Sequence, residues 1–430
     1  MIQTGLIPNA HNDLVTDASY DFYGLRLATC SLDQRSVKVW QLDETTGSWS
    51  LEHDWKAHDA VVSKVSWAHP EFGTILATAS FDRTVKVWEQ ISATDVDGTQ
   101  LNGTSAGTSS STRWIERAML VDAKGTVRSV EFAPQHFGLK LATISSDNYL
   151  RIYDCLEQPS LSSWQLTEEV DVLSLPTATP SSRSNAHTVT VATPTQSSTT
   201  LDGNSASLVA HALQQQTSQT QLPGRPGLGT READGGWSIS WCKDKYWGEI
   251  LAAACGVDGI VKIIQVFPSR RPSTLLSLNP SPSNAETTKT AATSGGDSEA
   301  SKAFAITSVA WAPSCGRSYH LVATASRDGH VRIWRVKPPT PSEDLEGDDA
   351  DGTEGKWSAS IVGDFDDHKS AVGRVEWNIT GTILSSAGND GRVRLWKMTA
   401  GNVWRPAGHI SVEQAEEQQG EADADMAVED

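Results

Sequence analysis

The segment "ATASFDRTVKVW", from Ala77 to Trp88, has the pattern of two short strands joined at an aspartate. Small residues precede Asp82, and Val and Lys alternate after it, which is the period-two pattern of a half-buried strand. A tight turn between strands favours aspartate because its carboxylate accepts hydrogen bonds from nearby main-chain N–H groups. The segment therefore predicts an antiparallel strand pair closed by an Asp-turn, with a tryptophan six residues beyond the aspartate.

This strand–turn–strand segment occurs six times along the chain. The copies are "ATCSLDQRSVKVW" at Asp33, "ATASFDRTVKVW" at Asp82, "ATISSDNYLRIY" at Asp147, "AAACGVDGIVKII" at Asp258, "ATASRDGHVRIW" at Asp328 and "SSAGNDGRVRLW" at Asp390. An alternating strand such as "SKVSWA" precedes each copy, and a further segment of strand character such as "RWIERAML" follows it. The sequence therefore predicts six units of four strands each.

Four-stranded antiparallel units repeated radially are the blades of a β-propeller. We predict an all-β, six-bladed WD40 propeller over residues 1–412, with blades at about 9–56, 57–121, 122–173, 235–278, 303–366 and 367–412. The segments that interrupt or follow the units are poor in large apolar residues and are predicted to be disordered. They are the insertions 92–112, 177–234, 279–302 and 339–355 and the acidic tail 413–430.

The net charge of -18 is concentrated in two segments. Residues 339–355 and 413–430 together carry fifteen acidic residues and no basic residue, so the remainder is nearly neutral. Without a basic stripe that could neutralise phosphates, direct nucleic-acid binding is not expected. The N-terminus has no secretory pattern, and no apolar run approaches the roughly 20 residues that cross a bilayer. We therefore expect a soluble intracellular protein without direct membrane insertion.

Motifs of catalysis or metal binding are not found in the sequence. The one G-x-S-x-G match, Gly103 to Gly107, lies in a polar low-complexity stretch and lacks the strand and helix that a nucleophile elbow needs. No phosphate-binding loop, dinucleotide fingerprint or Cys/His metal spacing occurs. We therefore predict a protein that is not an enzyme and that has no cofactor and no metal site.

The units resemble WD40 repeats, and the resemblance implies a role for the turn aspartates. In that family the Asp accepts a hydrogen bond from a His, which bonds to a Ser or Thr hydroxyl that meets the indole of the Trp. Two complete tetrads are expected, namely His11, Ser31, Asp33 and Trp40, and His58, Ser80, Asp82 and Trp88. The last unit has His368, Asp390 and Trp396 but Gly388 at the position expected for the hydroxyl, and the other turn aspartates are Asp147, Asp258 and Asp328. All these residues are predicted to be structural.

Each of the six units contains its own four strands in unbroken order, so no blade is predicted to mix strands from the two ends of the chain. The strand edges of the first and last units would then face each other, and such edges are templates for a partner's strands. Our hypothesis is that a partner protein fills this junction; the alternative is a ring that closes tightly on itself. The expected contact residues are Asp17, Ser19, Tyr20, Val372, Val375 and Trp377.

Longer stretches of the sequence resemble a particular branch of WD40 proteins. The stretches "YDFYGLRLATCSLDQRSVKVW" and "WAHPEFGTILATASFD" are similar to two sister families: the Seh-type nucleoporins of the nuclear pore's Y-shaped scaffold and the small propeller subunit of the COPII vesicle coat. The third unit, Ser129 to Leu173, and "VAWAPSCGRSYHLVATASRDGHVRIW" in the fifth resemble the Seh-type proteins. The chain is therefore identified as a Seh-type WD40 nucleoporin.

The resemblance implies an open propeller completed in trans by a blade from a helical-solenoid nucleoporin. It implies assembly with the other Y-complex subunits at the nuclear pore, in support of protein and mRNA transport. It also implies a place on the cytoplasmic face of the vacuole membrane, among the subunits of a coat-like complex that regulates TOR signalling. The alternatives are a COPII-type coat subunit or a WD40 peptide reader. A reader would need a basic or aromatic ring at one channel mouth, and the Asp-turns carry scattered arginines, such as Arg83, Arg327 and Arg392.

Overall fold

The computed structural model describes residues 7–32, 35–92, 112–158, 160–176, 234–267, 270–280, 304–339 and 356–411. The four predicted insertions lie outside these ranges except for a few residues at their edges, and the acidic tail and Asp33 lie outside them entirely. The described residues form strands β1 to β24, numbered in chain order. Three single 3-10 turns join the first and second strands of three successive sheets, at Pro70–Phe72, Gln135–Phe137 and Lys245–Trp247.

The first half of the described chain forms three four-stranded sheets. In blade 1, β1 to β4 are Val15–Tyr20, Arg26–Ser31, Ser36–Leu42 and Trp49–Lys56. In blade 2, β5 to β8 are Val62–Trp67, Ile75–Ser80, Val85–Ser92 and Thr112–Leu120. In blade 3, β9 to β12 are Val127–Phe132, Lys140–Ser145, Tyr149–Cys155 and Trp164–Asp171.

The second half forms three more sheets of the same kind. In blade 4, β13 to β16 are Gly236–Trp241, Ile250–Gly256, Val261–Phe267 and Arg270–Leu278. In blade 5, β17 to β20 are Ile306–Trp311, His320–Ser326, Val331–Lys337 and Ser358–Phe365. In blade 6, β21 to β24 are Val372–Trp377, Ile383–Gly388, Arg392–Met398 and Trp404–Ser411.

The arrangement of the sheets confirms the predicted six-bladed propeller. Each sheet consists of four consecutive antiparallel strands, so no described sheet mixes strands from the two ends of the chain. The first strand of every blade is an inner strand of six residues, and successive inner strands lie beside each other in the order β1, β5, β9, β13, β17, β21. All six inner strands line one central cavity of about 430 Å³.

Each blade has two different faces because side chains alternate along a strand. In blade 2, Leu76 and Trp88 pack against blade 1, whereas Ala77 and Val87 pack against blade 3. We call these the tryptophan face and the alanine face. The described residues form five hydrophobic clusters, and each cluster joins the alanine face of one blade to the tryptophan face of the next, from blades 1 and 2 to blades 5 and 6. These contacts define five filled junctions.

A buried polar chain fixes the Asp-turn of blade 2. The indole Nε1 of Trp88 donates to Thr78 Oγ1 at 3.0 Å, and that hydroxyl lies 2.7 Å from His58 Nε2. Because the Asp82 carboxylate can only accept, its bond to His58 Nδ1 at 2.9 Å places the ring proton on that nitrogen, which leaves Nε2 to accept from the Thr78 hydroxyl. Burial opposes ionisation of Asp82, but the hydrogen bonds from His58 and Thr84 outweigh it and lower the pKa of the carboxyl.

The hydroxyl in this chain is Thr78, and the prediction of Ser80 was wrong. Trp88 is paired with Leu76 across the sheet, so its indole reaches the diagonal neighbour Thr78 on the same face. Ser80 lies further along the strand and accepts the main-chain N–H of Asp82 instead, at 3.1 Å.

The same offset of two residues applies in blades 1 and 6. In blade 1, Thr29 takes the place predicted for Ser31, at 2.8 Å from His11 Nε2 and 2.9 Å from Trp40 Nε1. In blade 6, Ser386 is the hydroxyl and bonds to Trp396 and His368, each at 2.8 Å. The polar chain of blade 6 is therefore complete.

The other turn aspartates differ in what holds them. Asp147 and Asp328 each accept the N–H two residues ahead and pair with an arginine four residues ahead, Arg151 and Arg332, both at 2.9 Å or less. Asp390 pairs with its own arginine, Arg394, in the same way. Asp258 is exposed and makes no hydrogen bond within the described ranges, so the predicted structural role of that aspartate is not seen.

Substituting Thr78 by Val is expected to lower the free energy of unfolding by about 2–3 kcal/mol, because both His58 and Trp88 lose a buried partner. Urea unfolding followed by tryptophan fluorescence measures the loss. The matched control is Thr324→Val, where Trp334, at 3.2 Å, is the one partner of the hydroxyl within the described ranges, so about half the loss is expected. Equal losses in the two variants would contradict the four-residue chain.

Acid is expected to destabilise the propeller through Asp147. Burial opposes ionisation of this carboxyl, but hydrogen bonds from Arg151 and Ser145 lower its pKa to about 2. A carboxyl whose pKa falls on folding stabilises the protein above its unfolded pKa near 4 and loses that contribution as the pH falls through the folded value. Asp147→Asn should therefore cost about 1–2 kcal/mol near pH 7 and flatten the loss of stability between about pH 4 and pH 2.

Urea unfolding at a series of pH values tests this expectation. Asp258→Asn is the control, because that carboxyl is exposed. A variant at Asp147 with the pH profile of the unmodified chain would show that this carboxyl does not contribute.

Candidate functional site

Among the described residues, no hydrophobic cluster covers the alanine face of blade 6. Its residues come from β22 and β23 and are paired across the sheet, Ser385 with Leu395 and Ala387 with Val393, with Ile383 beyond them. At the positions of Ser385, Ala387, Val393 and Leu395, the corresponding residues of blades 1 to 5 are at most 2% exposed. The position of Ile383 is more variable, because blades 1 and 3 have the partly exposed Arg26 and Lys140 there. In blade 6 the face is partly exposed, and Val393 reaches 37%. We call Ile383, Ser385, Ala387, Val393 and Leu395 the open face.

The open face looks onto the sixth junction, which lies between blade 6 and blade 1. None of the five hydrophobic clusters of the described residues spans this junction. The first residue of the inner strand is buried in blades 2 to 6, whereas Val15 of blade 1 is 50% exposed. Neighbouring blades are thus packed together around the ring except at this point.

Hydrogen bonds between inner strands show the same interruption. At the first five junctions a side chain of one inner strand accepts a main-chain N–H of the next. The pairs are Asp17 with Val65, Ser66 with Phe132, Glu131 with Trp241, Ser238 with Val309, Ser240 with Trp311 and Ser308 with Val375, at 3.0–3.3 Å. At the sixth junction the residue equivalent to Ser308 is Arg374, which has no acceptor atom. The residue equivalent to Ser66, Glu131 and Ser240 is Glu376, which accepts from Arg374 instead.

Two further kinds of inter-blade bond are also missing at the sixth junction. The hydroxyls of Thr16 and Ser63 donate to the first carbonyl of the next inner strand, at 2.6 and 2.7 Å, but the equivalent residue of blade 6 is Gly373. The indole Nε1 atoms of Trp67 and Trp377 donate to main-chain carbonyls of the preceding inner strand, at 2.8 and 3.0 Å. The equivalent residue of blade 1 is a tyrosine, which has no indole.

A charge bridge spans the sixth junction instead. Arg374 Nη1 donates to Asp17 Oδ1, and Arg374 Nη2 donates to Glu376 Oε2 at 2.9 Å. Asp17 also accepts from Lys64 Nζ of blade 2 at 2.9 Å. Among the described residues, this bridge is the one direct side-chain bond between β21 and β1.

The blade 1 side of the sixth junction is covered by the residues that precede β1. His11 meets Thr29 on the tryptophan face of blade 1, and Lys38 Nζ donates to the carbonyl of Ala10 at 2.8 Å. Thr29 and Trp40 are buried as a result. The uncovered apolar surface at this junction therefore consists of the open face of blade 6 and, on blade 1, of Val15 at the start of β1.

The six predicted contact residues fall into different environments. Tyr20 is 56% exposed at the edge of the junction, and Asp17 is buried within the charge bridge. Ser19 and Trp377 take part in the indole bonds of the first and fifth junctions. Val372 and Val375 are buried in the cluster between blades 5 and 6, so their side chains face blade 5 and their role as partner contacts stays a prediction.

The open face itself was missed by the sequence analysis. Ser385 replaces the alanine of "ATAS" in the repeat, and that difference is visible in the sequence. The exposure of the other residues is not, because Ala387 and Val393 fit the same apolar pattern as their buried counterparts. An alanine face remains uncovered where no further blade follows it, and the local sequence of a blade does not show whether another blade follows.

No catalytic or metal chemistry is found at the junction. In the part of the chain that the structure describes, no group of three His, Cys, Asp or Glu side chains is placed to hold a metal ion. No helix there has the length and hydropathy to span a bilayer. The sixth junction consists of an apolar strand surface beside a charge bridge.

Comparison with known repeats places the sequence repeat across two blades. The WD40 pattern, described as WD domain, G-beta repeat, matches residues 49–89, 293–335 and 359–397. The first match begins on the outer strand of blade 1 and ends on the third strand of blade 2. The third match likewise begins on the outer strand of blade 5 and ends on the third strand of blade 6, so these two repeats each link one blade to the next.

Three similar proteins cover almost the whole chain. Nucleoporin SEH1 of Saccharomyces cerevisiae is 32% identical over 94% of this chain and 99% of its own length. Nucleoporin seh1 of Schizosaccharomyces pombe is 30% identical over 97% of this chain and 98% of its own. Nucleoporin SEH1 of Homo sapiens is 34% identical over 93% and 85%.

Substituting Ser308 by Ala is expected to cost about 1–2 kcal/mol of unfolding free energy, because the buried N–H of Val375 loses its acceptor. Thermal or urea unfolding measures the loss. Ser385→Ala is the matched control: its hydroxyl donates to the carbonyl of Glu376 at 3.1 Å on the open face, where water can replace it. The control should change stability by less than about 0.5 kcal/mol. A control as damaging as Ser308→Ala would mean that blade 6 is packed on both faces.

Proposed function

The chain belongs to the SEH1 family of nucleoporins, and from this we propose that it is a propeller subunit which a partner nucleoporin completes by inserting strands against the open face of blade 6. Members of this family are structural proteins of the nuclear pore complex at the nuclear envelope, not enzymes. The insertion, the partner and the assemblies discussed below are our proposal.

The open face is the observation that carries this proposal. Five alanine faces with the same residue pattern are each covered by a four-stranded sheet, the next blade. The sixth is made of the same kind of residues, Ala387 and Val393 paired beside Ser385 and Leu395, and stays partly exposed. A surface of that shape fits another β-sheet better than a helix, because strands interdigitate with paired side chains at a spacing of about 10 Å.

We propose that the partner is a helical-solenoid nucleoporin whose strand-forming segment becomes a seventh blade. The partner would supply the neighbour that blade 6 lacks, and the propeller would fix the partner's end within the Y-complex. The role in protein and mRNA transport then follows from scaffolding the pore. Because one open face accepts one blade at a time, membership in a vacuolar coat-like complex that regulates TOR signalling would require a separate copy of the chain.

The other candidate functions receive less support. A COPII-type coat subunit would use the same open face, but the similar proteins are nucleoporins. A peptide reader would use the central cavity. The polar side chains that line it, such as Ser66, Ser238 and Ser240, are already bonded to neighbouring strands.

Replacing Val393 by Glu is expected to weaken partner binding on the order of a hundredfold while the propeller remains folded. In the free chain this side chain is partly in water, so a carboxylate is tolerated there. In the complex the carboxylate would be buried against an apolar strand without a partner. The measurement is quantitative capture of the tagged full-length chain from native extract, with cross-links from β22 and β23 identified by mass spectrometry.

Ile361→Glu is the matched control, since Ile361 is a similar residue, 38% exposed, on the outer strand of blade 5. The proposal requires a helical nucleoporin that is cross-linked to the open face, retained by the control and lost by the Val393 variant. Equal retention by both variants, or cross-links that avoid blade 6, would refute it.

A further inference from the structure

The bridge between Asp17 and Arg374 is the feature of the sixth junction that the proposed function leaves unexplained. A junction kept free for a partner needs no bond across it, yet Arg374 of blade 6 reaches the carboxylate of blade 1. We propose that this bridge is a latch: it holds blades 6 and 1 together in the free protein and opens when a partner's strands are inserted. The inference rests on the proposed function, because it concerns the regulation of the same junction.

Both charges have a second partner on their own side of the junction. Asp17 keeps Lys64 Nζ at 2.9 Å and the N–H of Val65 at 3.0 Å, and Arg374 keeps Glu376 at 2.9 Å. Opening the bridge therefore leaves no buried charge unpaired, which is the event that makes breaking an ordinary buried ion pair costly. At the fifth junction the separation of blades would leave the N–H of Val375 without its acceptor Ser308. The sixth junction is thus built to open reversibly.

The surroundings of the bridge strengthen the attraction between its two charges and also make that attraction sensitive to salt. The Asp17 side chain is 2% exposed, so its charge acts through a medium of low dielectric constant. The Arg374 side chain is 28% exposed, so ions can reach one end of the bridge and screen it. An inserted strand must occupy the space between β21 and β1, which separates the two side chains. Bridge and inserted blade therefore exclude each other.

Hydrogen exchange of the full-length chain without partner tests the latch directly. Arg374→Met removes the charge and keeps most of the side-chain stem. Peptides covering β1 and β21 should exchange their amide hydrogens roughly five to ten times faster in this variant, and the exchange rates of blade 3 peptides should not change. Raising the salt from about 50 to about 500 mM should accelerate the same peptides in the unmodified chain and have little effect on the variant. Unchanged exchange of β1 and β21 in Arg374→Met would overturn the latch.

Lys64→Met is the matched control. It removes the other cation from Asp17, but its junction keeps the hydrophobic cluster, the Val65 N–H bond and the Trp67 indole bond. Exchange of β21 should remain at the unmodified rate. Acceleration of β21 in this control would mean that any loss of charge near Asp17 loosens the ring, and the assignment to the sixth junction would be wrong.

Binding kinetics separate a failure of the latch from a failure of the proposed function. The probe is the helical nucleoporin captured by the full-length chain. Arg374→Met should associate with it several times faster than the unmodified chain, since no bridge has to open first. If Arg374→Met associates at the unmodified rate while Val393→Glu does not bind, the proposed function stands and the latch is refuted. If Val393→Glu binds normally, the proposed function is refuted and the exchange measurement alone decides whether the bridge closes the ring.

Discussion

The packing of an alanine face on the tryptophan face of the next blade is the contact on which the whole molecule depends. A four-stranded sheet of this size cannot bury its apolar side chains alone, so every blade needs a neighbour on each side. Five such contacts join six blades in a row, and each has a hydrophobic cluster of its own. The sixth contact would close the row into a ring, and there the alanine-face residues of blade 6 remain partly exposed. The function proposed for the protein follows from this one missing contact.

The hydrogen bonds between neighbouring inner strands also differ between the filled junctions and the sixth junction. Where blades pack closely, a buried main-chain N–H needs an acceptor, and a serine such as Ser308 of the preceding inner strand supplies it. Where the junction is not filled, water can satisfy the same groups, so the equivalent positions are free to be Gly373 or Arg374. The residues at the sixth junction are thus not degraded versions of the others. They suit a junction that is closed by a charge pair and not by a packed core.

The sequence was sufficient to predict the blades and insufficient to predict the site. The repeated Asp-turn marks a strand pair by local chemistry alone, so the six units could be located without any knowledge of their neighbours. The hydroxyl of the tetrad was placed two residues too far along, because Thr78 and Ser80 lie on the same face and only the register with Trp88 separates them. The open face could not be predicted for a different reason. Ala325 and Ala387 have the same local pattern, and one is buried while the other is not because only one has a blade in front of it.

Blade 6 also shows how an incomplete ring can remain folded while it waits for a partner. Its tryptophan face is complete, with Trp396 bonded to Ser386 and His368 held at Asp390, so the blade is anchored to blade 5. Its alanine face contributes little in the free protein, because solvent still reaches it. A ligand that binds only the folded state adds stability by mass action, and here it would bind the blade whose alanine face is partly exposed. The same few residues of β22 and β23 would therefore bind the partner and become buried by it, so a partner that inserts its strands there completes the fold as it binds.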